Sequence, residues 1–362
     1  MRPKKFYWLT AIGIGTAILL IFYVVPGCKQ AGPKVLIVID MDGASGVTNF
    51  NDVLSYSPTY QAARESLTED VNAAIRGLLK SGAREVVLTD AHGSGNPEPD
   101  YIVDRLPEGA RFDIRDEVYD AYIDTLDETF DAVVCMGMHS RAGAKGQIAH
   151  TYYIHTKWIM AGFDMNESML VAASAARFDI PLILVAGDDV LEQEIKEFSP
   201  RTEYVVVKKA VDFFKAVPRP QEQVSAEIEA AAERALRNLK DIPVWKPQEL
   251  NEPFKNLFKY TLPVHATMAM DFPGAKEVDN KTVSITTESF LEAYLTFRLL
   301  SNYTAHITYR KMVEAVSNEE GGRDILKKAQ AKLPDWKDRD FSPTGEKIDF
   351  SLAYARGKHG YK

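Results

Sequence analysis

Apolar runs alternate with segments of helical periodicity along much of this chain. Five runs have the length and apolar content of strands buried on both faces, at Lys34–Ile39, Glu85–Asp90, Asp131–His139, Pro181–Ala186 and Glu203–Val207. Helices are predicted at Thr59–Lys80, Glu167–Phe178 and Gln221–Lys240. A strand, a helix and a second strand at this spacing form a βαβ unit. The pattern therefore predicts an α/β protein with a mostly parallel sheet and flanking helices.

The pattern changes near residue 246, where Pro243, Pro247 and Pro253 mark a linker. Beyond it, we expect strands at Tyr260–Asp271 and Lys281–Thr287 and a helix at Ser289–Val316. The predicted organisation is an α/β domain at residues 31–245, a smaller α+β region at residues 246–316 and a polar tail at residues 317–362. The tail is charged and weakly periodic, so surface packing or partial disorder is expected there.

The first thirty residues differ from the rest. Phe6 to Val25 carry no charge and follow Arg2, Lys4 and Lys5, which is typical of a segment that crosses a bilayer with a cytoplasmic N-terminus. Cys28 follows Gly27 in a segment that resembles a lipoprotein cleavage box, which would make it a lipidated N-terminus. Residues 1–30 are therefore predicted to be a signal, a lipoprotein signal or a membrane anchor. Each alternative places the body outside the cytoplasm, in the periplasm or on the outer face of the membrane.

Composition restricts the classes of function that the chain can have. The chain has 362 residues, of which 46% are hydrophobic and 26% charged, and its net charge is -8. This balance is ordinary for a soluble domain and argues against a nucleic-acid surface, which would be basic. The two cysteines provide neither a disulfide framework nor zinc-finger spacing.

Potential metal ligands follow three of the predicted strands: Asp40 with Asp42, then His92, then His139. The carboxyl ends of parallel strands meet at one edge of a sheet, where ligands of α/β proteins bind. Mixed carboxylate and imidazole ligands suit zinc, manganese or cobalt, and Glu167 could add a carboxylate from a helix start. Taken singly, each residue has a structural alternative: an Asp-rich turn, an ordinary core histidine or a favourable first-turn acid.

His150 lies on a glycine-containing loop, eleven residues after His139. A loop histidine can reach over bound metals without being a ligand. It could then act as a general base, a general acid or a nucleophile.

Several motifs agree with one known family. They are the acidic pair Asp40 and Asp42, Asp90-Ala91-His92, Gly137-Met138-His139-Ser140-Arg141-Ala142, His150, Glu167, Val185-Ala186-Gly187-Asp188-Asp189 and Leu291-Glu292-Ala293-Tyr294. Together they resemble the DppA-type D-aminopeptidases over residues 34–303. Asp42 is a departure, because the family has a glutamate there.

This resemblance implies a metallopeptidase with two zinc ions per subunit. Asp40 would bridge the ions, Asp42, His92, His139 and Glu167 would complete the ligand set, and His150 would be the catalytic group. The substrates would be short peptides with D-residues, and the protein would be a homo-oligomer. Two alternatives remain: a tethered peptide-binding or metal-binding protein without turnover, and an ester or phosphoester hydrolase on the same metals. A phosphoesterase should show more basic residues than Arg141 and Lys145 in the His150 loop.

Overall fold

A computed structural model describes residues 32–324, except residues 95, 97, 115–119, 248–252, 319 and 322. The predicted membrane segment Phe6–Val25, Cys28 and the tail after residue 324 lie outside the described residues. None of the described helices combines the length and apolar character that a membrane span requires.

The described strands form two sheets. The first contains β1 (Lys34–Ile39), β2 (Glu85–Asp90), β3 (Ala110–Phe112), β4 (Ala132–Met138), β7 (Leu182–Asp188), β8 (Glu203–Asp212) and β9 (Lys215–Pro218). The second contains β5 (Thr156–Met160), β6 (Phe163–Asp164), β10 (Phe254–Tyr260), β11 (Lys276–Asp279) and β12 (Thr282–Thr287). The α-helices are α1 (Tyr60–Lys80), α2 (Glu167–Ala176), α3 (Asp189–Phe198), α4 (Gln221–Arg237), α5 (Pro263–Ala269) and α6 (Phe290–Asn318).

The first sheet has the strand order β3-β2-β1-β4-β7-β8-β9, and every pair in it is parallel except β8 with β9. Its central strands are buried on both faces, as their continuous apolar runs require. The prediction of an α/β fold with a mostly parallel sheet is confirmed.

Alternate residues of β1 belong to two different cores. Val35 and Ile37 pack in a cluster that contains residues of α1 and α4. Leu36 and Val38 pack in a second cluster that contains residues of α2 and of the second sheet. The first sheet is therefore the central layer, covered by helices on one face and by α2 and the second sheet on the other.

The second sheet is antiparallel, with the order β11-β12-β10-β5-β6. It joins strands from residues 254–287 to β5 and β6, which precede the proline-marked linker in sequence. The expected strand at Tyr260–Asp271 is wrong. The strand runs from Phe254 to Tyr260, and α5 begins at Pro263 because proline is well suited to the first turn of a helix.

Candidate metal centre

The potential ligands predicted at three strand ends lie together at one edge of the first sheet. Asp40 and Asp42 follow β1, His92 follows β2 and His139 follows β4, and these strands are neighbours in the order β2-β1-β4. Each of the two carboxylates is at most 4% exposed, and His139 is completely buried. The structure thus brings two carboxylates and two imidazoles into one poorly solvated cluster.

Close backbone contact between the ends of β1 and β4 makes this convergence possible. Gly43 donates from its backbone N–H to the carbonyl oxygen of Gly137 at 2.7 Å. A Cβ atom on Gly43 would lie 1.7 Å from the carbonyl oxygen of Met138, so no other residue fits without movement. Gly137 has a φ of +70°, and a Cβ there would lie 2.0 Å from the carbonyl oxygen of Asp40.

Imidazole nitrogens and carboxylate oxygens are separated by distances that a shared cation could bridge. His92 Nε2 lies 3.2 Å from Asp42 Oδ1, and His139 Nε2 lies 3.3 Å from Asp40 Oδ2 and 3.5 Å from Glu167 Oε1. Three overlapping groups have ligand atoms within 4.8 Å of one another: Asp40 with Asp42 and His92, Asp40 with His139 and Glu167, and Asp42 with His139 and His150.

Two atoms of the cluster indicate that a cation belongs there. Asp42 Oδ1 and His139 Nε2 are buried and have no hydrogen-bond partner within the described part of the chain. A buried polar atom without a partner is costly, and native structures contain few of them. Bound cations would satisfy both atoms, and mixed oxygen and nitrogen donors are typical zinc ligands. The residues therefore fit a zinc centre.

The three histidines near the centre are held in the same way. The Nδ1 atom lies 2.7 Å from Asp100 Oδ2 in His92, 3.1 Å from the Ser140 carbonyl oxygen in His139, and 2.7 Å from the Ile148 carbonyl oxygen in His150. These oxygens can only accept, so we assign the proton to Nδ1 in each ring. Each Nε2 then faces the carboxylates, so that its lone pair is available to a metal ion once the nitrogen has lost its proton, which is the usual arrangement of metal-binding histidines.

Glu167 reaches the cluster from the start of α2. Asn166 caps this helix by accepting a hydrogen bond from the backbone N–H of Met169 at 2.8 Å. Glu167 Oε1 accepts from the backbone N–H of Tyr152 at 2.6 Å, and Oε2 accepts from the hydroxyl of Tyr122. These hydrogen bonds hold the carboxylate so that Oε1 also faces His139.

The electrostatics of the cluster are those of closely packed opposite charges. Burial lowers the pKa of His92 and His139, but the neighbouring carboxylates outweigh burial and raise both pKa values well above the usual range. Burial raises the pKa of Asp42 and Glu167, but the histidines hold both below the usual range. The site therefore strongly favours positive charge between its carboxylates.

His150 differs from the other two histidines. Its pKa is lowered by burial and by the positive charge of His139, so the ring is neutral near neutral pH. The ring stacks on that of His139 at 4.2 Å between centroids, and its Nε2 lies 3.8 Å from both Asp42 Oδ2 and Glu167 Oε1. The structure thus places a neutral imidazole beside the candidate ligands.

Strained backbone flanks His150. Ile148 and Tyr152 have φ values of +52° and +63°, in the left-handed region that non-glycine residues rarely adopt. For a β-branched residue such as Ile148 this conformation is a genuine outlier. Such strain persists where the surrounding structure imposes it, and it clusters at functional sites.

Sequence reasoning missed the residues that support the ligands. Asp100 accepts from His92 and from the hydroxyl of Tyr60, and its own backbone N–H donates to Asp90 Oδ2 at 2.6 Å. Burial and the charge of Asp100 raise the pKa of Asp90 to about 8. Asp100 and Tyr122 lie in loops outside the helices and strands, so no periodic pattern marks them.

Comparisons with known proteins found similar sequences and a similar structure. The sequence profile of a family described as D-aminopeptidase matches residues 34–299. A D-aminopeptidase from Bacillus subtilis (strain 168) is 29% identical over 185 residues, which are 49% of this chain. The chain spans 64% of the length of that relative, less than two thirds of it.

A solved structure has a similar fold. It is described as the Zn-dependent D-aminopeptidase DppA from Bacillus subtilis, a self-compartmentalizing protease. It matches with a TM-score of 0.69 at 23% identity, over 75% of this chain and 98% of that chain.

Proposed function

Because this chain belongs to the D-aminopeptidase family, we propose that it is a metal-dependent aminopeptidase that releases N-terminal D-amino acids from short peptides. The family resemblance expected from the sequence motifs is confirmed. The observation that carries the proposal is the buried cluster of carboxylates and imidazoles, with two ligand atoms that lack partners in the described structure. The zinc dependence of the relative of known structure supports zinc as the metal.

We propose two zinc ions per chain, and manganese or cobalt would suit the same donors. Asp40, Asp42 and His92 would hold one ion, and Asp40, His139 and Glu167 the other, with Asp40 shared. Three carboxylates exceed the charge of a single divalent ion, which favours a pair. When bound, the two ions would polarise the scissile carbonyl group and lower the pKa of a water molecule.

The protein's own catalytic group in this proposal is His150. Its lowered pKa leaves the ring neutral, and Nδ1 is fixed on the Ile148 carbonyl oxygen, so Nε2 is the basic atom that faces the centre. His150 would accept a proton from the attacking water at Nε2 and return it to the nitrogen of the leaving amine.

The surroundings favour a peptidase over a phosphoesterase. Arg141, the nearest arginine in sequence to His139, is bound by Glu194 and Asp164, and its charge is thereby compensated. Lys145 is exposed. Phosphate recognition would require cationic groups directed at the site.

We also propose that residues 1–30 tether the body to the outside of a membrane, and that the protein assembles as a homo-oligomer. The tether rests on the uncharged segment Phe6–Val25. The assembly is supported by the self-compartmentalizing relative. Fragments of cell-wall peptide would be accessible substrates in that location.

The proposal is tested by zinc analysis together with hydrolysis of matched D- and L-aminoacyl amides by the full-length protein. We expect bound zinc and preferential release of D-residues. His139→Gln should lose both zinc and activity. His155→Gln is the matched control, because His155 is also buried but bonds to Thr304 on α6. A metal-free wild type, or a zinc-loaded one that hydrolyses neither series, would contradict the proposal.

A further inference from the structure

A completely buried lysine holds the loop that carries Asp42. Lys208 lies in β8 and is 0% exposed. Its Nζ donates hydrogen bonds to the backbone carbonyl oxygens of Asp42 at 2.7 Å and of Val47 at 3.0 Å. These two residues are the ends of the segment Asp42–Val47, which we name the ligand loop. One ammonium group therefore fastens both ends of the loop.

Within the described part of the chain, the ammonium group has no carboxylate at ion-pair distance. Its hydrogen-bond partners among the described residues are both carbonyl oxygens, and the carboxylates of Asp188, Asp42, Asp70 and Asp40 act on its charge only at longer range. Burying a lysine without a carboxylate partner is costly, whereas methionine would occupy a similar volume without that cost. Joining the two carbonyl groups is therefore the contribution of Lys208 that an apolar side chain could not make.

Other contacts hold the middle of the ligand loop. Ser45 donates to the Asp70 carboxylate from its backbone N–H and from its hydroxyl, both at 2.9 Å. Gly43 donates to the Gly137 carbonyl oxygen at 2.7 Å. Neither contact touches the carbonyl group of Asp42, to which Lys208 bonds directly.

We infer that Lys208 is a positioning residue for the metal centre, which it serves by fixing the backbone of Asp42. Asp42 belongs to two of the three candidate ligand groups, so its placement affects the His92 side and the His139 side together. Zinc–oxygen bonds measure about 2.0–2.2 Å, which leaves little tolerance for a loop that shifts. This inference rests on the proposed metal centre.

The two hydrogen bonds from Lys208 to the ligand loop and the positive charge of Lys208 have opposite effects on metal binding. A buried positive charge near the centre repels a dication, so loss of the charge alone would strengthen binding. Loss of the two hydrogen bonds would let Asp42 move and would weaken metal binding. Loss of other groups that support metal ligands typically weakens binding about 10–100-fold. In our proposal the loss of the hydrogen bonds outweighs the loss of the charge. Whether metal affinity falls or rises in a Lys208 variant therefore tests the proposal.

The experiment compares Lys208→Met with Lys209→Met in the full-length protein. Lys209 is the next residue of β8 and is exposed, so its variant removes the same charge without touching the loop. Both are titrated with cobalt(II), and affinity, the visible absorption spectrum and the thermal midpoint are recorded. We expect Lys208→Met to bind cobalt at least about tenfold more weakly, with an altered spectrum, and Lys209→Met to match the wild type.

Asn256→Leu controls for a merely structural effect, because Asn256 is buried and hydrogen-bonded within the second sheet. This variant should lower the thermal midpoint but leave the cobalt spectrum unchanged. If Lys208→Met does not fold, Lys208→Gln, which keeps an N–H donor, is measured and should show a smaller change of the same sign.

An affinity of the folded Lys208 variant equal to or above that of the wild type, with an unchanged spectrum, would overturn the inference. That result would leave the proposed function intact. A wild type that binds no metal would instead overturn the proposed function and this inference with it.

Discussion

Single residues at the centre owe their charge states to burial and to their neighbours. The carboxylates raise the pKa values of His92 and His139, whereas the positive charge of His139 and burial lower that of His150. Two stacked imidazoles therefore have opposite protonation tendencies in the absence of metal.

The affinity for zinc should fall as the pH is lowered. Without metal, His92 and His139 carry protons up to a pKa above the usual range, and zinc must displace those protons to bind. Affinity should therefore rise with pH until both raised pKa values are passed and then level off. Competitive zinc titration at a series of pH values, with calorimetric measurement of proton release, checks this. Affinity independent of pH would contradict it.

His150→Ala should lose activity but retain zinc. Removal of a general acid–base group costs on the order of 10²–10⁴ in rate. The neutral ring with Nδ1 fixed on the Ile148 carbonyl oxygen fits that role. Zinc content, thermal midpoint and kcat are measured together, with His155→Ala as the control. Because His150 also forms a possible ligand group with Asp42 and His139, loss of zinc would instead identify it as a ligand.

Asp100→Asn should weaken metal binding without unfolding the protein. Asparagine can still accept from His92 Nδ1, but it lacks the negative charge that strengthens the imidazole as a ligand. Affinity should fall about 10–100-fold. Asp52→Asn is a suitable control, since Asp52 is a buried acid that caps the turn at Thr48 and Asn49. If the two variants bound zinc equally well, Asp100 would make no contribution to metal binding.

At the scale of elements, an aromatic stack joins the second sheet to α6. Trp158 of β5 stacks on Phe297 of α6 at 4.8 Å between ring centroids, and Phe258 of β10 stacks on Phe297 at 6.4 Å. All three side chains are completely buried. The stack holds β5 in place, and β5 follows directly after the segment that carries His150.

Phe297→Ala should therefore destabilise the fold strongly. Truncation of a buried phenylalanine to alanine typically costs about 3–5 kcal/mol through lost burial and a residual cavity. Leu299→Ala, two residues later on α6, is the matched control, because Leu299 is 58% exposed and should change stability by less than about 0.5 kcal/mol. Chemical denaturation of both variants gives the two free energies of unfolding. Similar values would show that the stack contributes little.

At the scale of the whole molecule, the centre combines the carboxyl edge of the first sheet with residues from the chain that follows β4. The parallel sheet presents Asp40, Asp42, His92 and His139 at its edge. His150 lies in the loop between β4 and β5, and Glu167 is the first residue of α2. Both parts lie after residue 31.

Removal of residues 1–30 should thus give a folded protein that no longer partitions with membranes. Both sheets and all candidate ligands lie at or after Lys34, so the truncated chain keeps its core. Circular dichroism, zinc content and fractionation of the truncated and full-length proteins check this. A truncated protein that is unfolded, or that still partitions with membranes, would contradict the proposed tether.

The sequence alone determined the parallel sheet and the candidate ligands at its edge. Strands buried on both faces need continuous apolar runs, and such runs are visible in any single segment. Asp40, His92 and His139 directly follow these runs, so their shared sheet edge followed from strand direction alone. Glu167 at a helix start and His150 on a glycine-containing loop were candidates from their positions in the sequence, and the family resemblance implied the roles of ligand and catalytic group for them.

Only the tertiary structure showed how these residues are supported, because the supporting contacts join distant segments. Lys208 meets Asp42 across 166 positions, and Tyr122 meets Glu167 across 45. Neither pair leaves a local pattern, since a buried lysine and an exposed one look alike in sequence. The prediction of a strand at Tyr260–Asp271 was wrong for a related reason. Its apolar residues satisfy a strand and a helix equally well, and pairing with β5 and β12 ended the strand at Tyr260.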